Sequence, residues 1–171
     1  MVRIIVYVTV FVISSFFSII SAQNPPTKPC NEVNYTQFDF WVGNWNVYNT
    51  QGKLIGHNNV IKMPNACAIQ ENWSSKTSKS QGTSYNYYNK TDNTWNQVWI
   101  DNTGFSLVLK GYFKDNTMTL KSDLVKNDKG NYYNQITWTK NKDGSVTQIW
   151  DYLNEDLKKT KEVFRGIYKK Q

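Results

Sequence analysis

Three segments of the chain share one arrangement: Glu71-Asn72-Trp73, Gln97-Val98-Trp99 and Gln148-Ile149-Trp150 each set a carboxylate or carboxamide two residues before a tryptophan. In an extended strand, residues two apart share a face, so each polar group travels with an indole. A polar group carried inward must find hydrogen-bond partners or cost several kcal/mol. Three arrangements satisfy that demand. The groups line a cavity and orient a bound molecule, or they bond one another and water in a closed structural network, or the faces turn outward as an aromatic strip. In the first case Glu71, Trp73, Gln97, Trp99, Gln148 and Trp150 form a ligand-binding set. The polar members would orient polar atoms, and the indoles would supply flat apolar contact.

Catalytic chemistry has few candidates. Glu71 with Asp101 is the best acid–base pair, and hydrolase-like work on a glycosidic bond would need the two carboxylates at a defined separation. Asp101 also stands just before Asn102-Thr103-Gly104, where an aspartate is expected for turn-building alone. The single histidine, His57, excludes a histidine-rich metal centre. Haem ligation is the one cofactor chemistry it could serve, against the plainer expectation of a surface or hydrogen-bonded histidine. No serine elbow, phosphate loop, dinucleotide fingerprint or HExxH pattern is present. The expectation is therefore no catalytic residue, no metal and no cofactor.

The elements that must position these residues are strands. Polar and glycine-bearing breaks fall at residues 50–53, 63–65, 78–82, 91–93, 102–104, 114–116, 127–130, 142–144 and 154–156. They recur about every dozen residues, the rhythm of hairpin-linked strands rather than of helix–strand alternation. Between them lie β-branched and aromatic runs. About ten strands with uniformly short links predict an all-β fold, a single antiparallel up-and-down barrel, which removes exposed edges; a sandwich is the competitor. Alternation predicts that Phe105, Leu107, Leu109 and Phe113 point inward, opposite Ser106 and Lys110, and that Met118, Leu120 and Leu124 do the same. The domain organisation follows: a signal peptide at 1–22, an extended lead at 23–36 containing Pro25, Pro26 and Pro29, and the barrel at 37–171.

The first 22 residues join one basic residue, Arg3, to a long apolar run ending in Ser21-Ala22. That is the pattern of a secretory signal cleaved before Gln23; an uncleaved membrane anchor is the rival. No later segment is apolar enough to span a bilayer, so no membrane span is expected after signal removal. A secreted or periplasmic location follows. Cys30 and Cys67 are the two cysteines, and in an oxidising compartment they are expected to pair. The formal charge of +7 is carried almost wholly by scattered lysines, which suits a solvated surface and, less directly, anionic envelope polymers. Nucleic acid is not an expected partner, because no recognition motif is present. Three glycosylation sequons begin at Asn34, Asn72 and Asn89.

The block FDFWVGNWNVY at 38–48, the Cys67-to-Trp73 stretch, WNQVWID at 95–101, DGSVTQIW at 143–150 and FRGIY at 164–168 together resemble a secreted domain-of-unknown-function family of lipocalin-like, or calycin-like, β-barrels. The likeness covers roughly residues 30–170 and implies the barrel, with Gly43-x-Trp45 in its first strand, and an exported location. It transfers no catalytic residues. Residues 156–162 depart from the pattern, being lysine-rich where glycine and tryptophan are expected. In such barrels a last-strand arginine often lies over the first-strand tryptophan. Arg165, the one arginine besides Arg3, is thus expected over Trp45 in a structural cation–π contact of about 1–2 kcal/mol; an exposed arginine is the alternative.

The functional expectation is an exported, monomeric, non-catalytic protein holding a small amphipathic or hydrophobic ligand in the barrel. The alternative is an envelope interaction module that meets glycan or protein through exposed aromatics. An enzyme using Glu71 and Asp101 comes third.

Overall fold

The computed structural model describes residues 29–128 and 130–171; the expected signal peptide and the first part of the lead lie outside them. The chain forms ten strands: β1 Gly43–Tyr48, β2 Leu54–Lys62, β3 Ala68–Ser75, β4 Gln81–Asn89, β5 Thr94–Asp101, β6 Ser106–Lys114, β7 Thr117–Lys121, β8 Tyr133–Lys140, β9 Val146–Leu153 and β10 Lys159–Lys170. Every strand pairs antiparallel with its sequence neighbours, and β1 closes on β10, so the sheet is one up-and-down barrel. The seam sets Trp45 opposite Lys170 and Val47 opposite Tyr168.

Turn chemistry fixes the register. The β6–β7 hairpin turns through Asp115 and Asn116, both in the left-handed region at φ 49° and 60°, the geometry that a two-residue hairpin requires. Asp101, Asp143 and Asn154 each fold their side-chain oxygens back onto backbone N–H groups in the next turn. Residues 114–116 and 142–144 thus break strands where the sequence says they should.

One end of the barrel is plugged. Two short 3-10 helices, Val33–Thr36 and Asp39–Trp41, precede β1, so the described part of the lead is not extended throughout. The second lays Phe38 and Trp41, both fully buried, across the barrel end. Phe38 stacks on Trp41 with centroids 4.9 Å apart and meets Trp95 and Trp138 edge-on. The Trp45 indole N–H donates to the Trp41 carbonyl at 2.8 Å. The FDFW motif is therefore the stopper, and Gly43-x-Trp45 opens the first strand beneath it. Cys30 and Cys67 are bonded, Cα to Cα 5.0 Å, tying the lead to the residue before β3.

Interior alternation holds along most strands. Leu107, Leu109, Met118 and Leu120 are buried as expected. Phe105 is not: it precedes β6, is 45% exposed and sits at the rim. Leu124 falls beyond the end of β7 and has no strand face.

Candidate site at the aromatic end of the barrel

The three Glu/Gln-x-Trp segments lie in β3, β5 and β9, and their tryptophans lie toward the end opposite the plug. Each indole leans across the preceding strand to the residue two before its own register partner. Trp73 pairs with Asn58 and lies over Gly56. Trp99 pairs with Ser84 and lies over Gly82. Trp150 pairs with Ile136 and donates its indole N–H to Asn134 Oδ1 at 3.0 Å. A methyl group at Gly56 or Gly82 would overlap the indole six-membered ring, so both glycines are needed for the rings to lie flat on the wall. Phe164 meets Trp73 edge-on at 6.1 Å, and Phe105 lies nearly parallel to Trp150 at 6.4 Å. Trp73, Trp99, Trp150 and Phe164 are all only partly buried. The result is a ring of aromatic side chains around the mouth.

Beneath this ring the polar partners form a layer. Gln97 Nε2 donates to Asn86 Oδ1 at 2.8 Å, Asn86 Nδ2 to Ser84 Oγ at 2.9 Å, and Ser84 Oγ to Glu71 Oε2 at 2.7 Å. From the other side Asn58 Nδ2 donates to Glu71 Oε1 at 2.7 Å. All donors run toward one carboxylate, and bonds chained in this way polarise one another. Burial nevertheless dominates: desolvation pushes the Glu71 carboxyl up to about 7, against the hydrogen bonds from Ser84 and Asn58 that pull it down. Next to Asn58, whose side chain it also contacts, the Tyr168 phenol donates to Gln148 Oε1. Desolvation raises the Tyr168 phenol well above its ordinary range, and the Glu71 charge adds to the effect.

The expected sextet thus divides into two levels. Glu71 and Gln97 are buried in the hydrogen-bonded layer, Gln148 is half-buried opposite them, and the three indoles sit above. Features of both inward-facing readings are present: a closed network below, and partly exposed aromatic faces above it. Asn58, Ser84, Asn86 and Tyr168 escaped the sequence reading. Their alternation, as in Gly82-x-Ser84-x-Asn86-x-Tyr88, would have placed them inward, but only cross-strand register shows that they converge on Glu71.

One expectation needs correction. Arg165 does not lie over Trp45. Its Nε and terminal nitrogen fork onto the two Glu162 oxygens at 2.9 and 2.7 Å, while Lys170, the register partner of Trp45, holds its Nζ 5.3 Å from the Trp45 ring. Odd-numbered positions in this part of β10 face outward, opposite Gly166 and Tyr168. His57 likewise lies between inward Gly56 and Asn58, so its ring faces outward, with Nδ1 3.3 Å from Gln171 Nε2. That orientation does not suit an axial ligand in the lumen. Asp101 accepts bonds from the Thr103 hydroxyl and from the Thr103 and Phe105 N–H groups, which hold its carboxyl below the usual range. Its partners are separate from those of Glu71.

A shallow concavity of about 550 Å³ lies at the mouth-side ends of β3, β4 and β5, lined by Trp73 and Gly82 together with Asn72, Thr83, Ile100 and Asp101 among others. Among the described residues no helix is long and apolar enough to cross a membrane, and no cluster of potential metal ligands occurs. No protein-family model matches the chain, and no curated protein sequence matches it.

Proposed function

We propose that this barrel is an exported binding protein that holds a small amphipathic molecule at its aromatic end without changing it. The observation that carries the reading is the threefold placement of Trp73, Trp99 and Trp150 around one mouth, above a polar layer centred on Glu71. Rigid rings with accessible faces supply apolar contact at low entropic cost, and a few fixed polar groups below supply orientation. Export rests on the apolar N-terminal run and agrees with the Cys30–Cys67 bond, which suits an oxidising compartment. The resemblance to secreted lipocalin-like proteins belongs to the same proposal.

The test is a titration of tryptophan fluorescence with lipids, haem and saccharides, joined to native mass spectrometry of freshly purified protein. Quenching that disappears in Trp99→Phe but persists in Trp41→Phe supports the internal site. Silence across the panel, with no adducted mass, defeats it.

A second reading is favoured by the outer wall. Tyr85, Val98 and Val108 stand in one cross-strand row on β4, β5 and β6, and Tyr85 and Val108 are strongly exposed. Such a row would serve an interaction module. Tyr85→Ser with Val108→Ser would then abolish association with envelope glycan or protein while leaving fluorescence titrations unchanged.

A further inference from the structure

The chemistry at the bottom of the mouth is one-sided. Glu71 receives only neutral donors, and none of the ion pairs formed among the described residues includes it. Of the cations at the start of β10, Lys159 pairs with Asp151 and Glu162, Arg165 pairs with Glu162, and Lys161 stands 6.0 Å from the Tyr152 ring. Beside Glu71, Asn58 is 2% exposed and its Oδ1 has no hydrogen-bond partner among the described residues. An orphaned buried acceptor costs about 1–3 kcal/mol, which a ligand donor would recover. One unpartnered acceptor therefore stands beside a carboxylate served only by neutral donors, and indole faces, which attract cations, stand above them.

We infer that the site takes an organic ammonium ion carrying an aromatic or apolar body, its N–H groups donating to the Glu71 carboxylate and Asn58 Oδ1 and its body lying against Trp73 and Trp99. Glu71 and Trp73 are two residues apart on one strand face, a rise of ~6.6 Å. That spacing matches a short arylalkylamine, with a two- or three-carbon link between ring and nitrogen. Anions are disfavoured by the carboxylate, and a neutral alcohol would satisfy only part of the acceptor set.

This inference rests on the binding-protein reading, and the test separates the two. The probes are 2-phenylethylamine, 2-phenylethanol and 3-phenylpropionate, titrated against tryptophan fluorescence and by calorimetry. At about pH 8 the amine is expected to bind at least about tenfold more tightly than the alcohol, with the carboxylate weakest; tenfold corresponds to about 1.4 kcal/mol. The amine keeps its charge throughout, so its affinity should fall as pH drops through about 7 and Glu71 takes up a proton. Asn58 on β2 and Ser84 on β4 face Glu71 as neutral groups, and Tyr168 on β10 is the titratable neighbour, uncharged across this range. Glu71→Gln should erase the amine's advantage while the alcohol still binds, and the N,N,N-trimethyl analogue, lacking N–H donors, should bind more weakly than the amine. The three-probe comparison needs no variant and so stands even if Glu71→Gln folds poorly. Equal affinity for amine and alcohol, preference for the carboxylate, or an amine advantage that survives Glu71→Gln overturns the ammonium inference and leaves the binding barrel intact. No response to any probe or to the wider panel overturns both.

Discussion

The Trp73 indole lies flat against Gly56 on the neighbouring strand, in space that any side chain at that position would fill. The atoms that would be struck are the far edge of a side chain able to swing away. Gly56→Ala should therefore cost only about 1–2 kcal/mol of stability, while pushing the ring toward the mouth. A shift in tryptophan emission together with weakened ligand binding would report it. Gly111 gives the contrast, because a methyl there would run into the Thr119 carbonyl on β7. Backbone cannot swing aside, so Gly111→Ala should destabilise by about 3 kcal/mol or more. Chemical denaturation of the two variants side by side tests the distinction.

Glu71 makes stability depend on pH in an unusual direction. Its folded carboxyl titrates near 7, above the ordinary 4.5 expected when the chain is unfolded. The folded state thus holds the proton more tightly, and the stabilising contribution is full below about 4.5 and lost as pH rises through 7. The loss is on the order of 3 kcal/mol. Urea midpoints measured across this window should fall with pH, and Glu71→Gln should flatten the curve.

Ser84 and Asn58 hold the carboxylate together. Removing the Ser84 hydroxyl in Ser84→Ala takes away a donor at 2.7 Å and leaves Asn86 Nδ2 with a poorer partner. The expected cost is about 1–3 kcal/mol above pH 7 and less below it, where Glu71 is neutral. A pH-independent cost would show that packing rather than charge is responsible.

The Cys30–Cys67 bond closes a loop of sequence separation 37, for which chain entropy predicts about 4 kcal/mol. Cys30→Ser with Cys67→Ser should lower the denaturation midpoint accordingly. If the plug relies on the bond, emission from Trp41 and Trp138 should also redden.

The β10 cations offer a last comparison. Lys170 lies over Trp45, whereas Arg165 makes a part-exposed ion pair with Glu162. Lys170→Ala should cost about 0.5–1 kcal/mol and Arg165→Ala less than about 1 kcal/mol. Only the first should perturb Trp45 fluorescence.

The barrel was legible in the sequence because turn residues and period-two alternation are local signals: Asp115-Asn116 and Asp143-Gly144 mark hairpins, and Leu107 and Leu109 mark an inner face. The interior partners of Glu71 were not, because Asn58, Ser84 and Asn86 lie on different strands and meet only through register. Arg165 was misplaced for the same reason. A last-strand cation does cover Trp45, but pairing between β1 and β10 selects Lys170. Phe105 failed differently, since alternation was carried one residue past the end of β6.

The seam between β1 and β10 joins Trp45 to Lys170 across the full run of the barrel strands. Loop-closure entropy must be met before that pairing contributes. The cylinder accordingly cannot exist on a half-made polypeptide. Hairpins β2 to β9 can zip locally during synthesis, but the final staves meet only after translation has passed Lys170, so closure waits for the last strand and nascent intermediates must carry two bare edges until then.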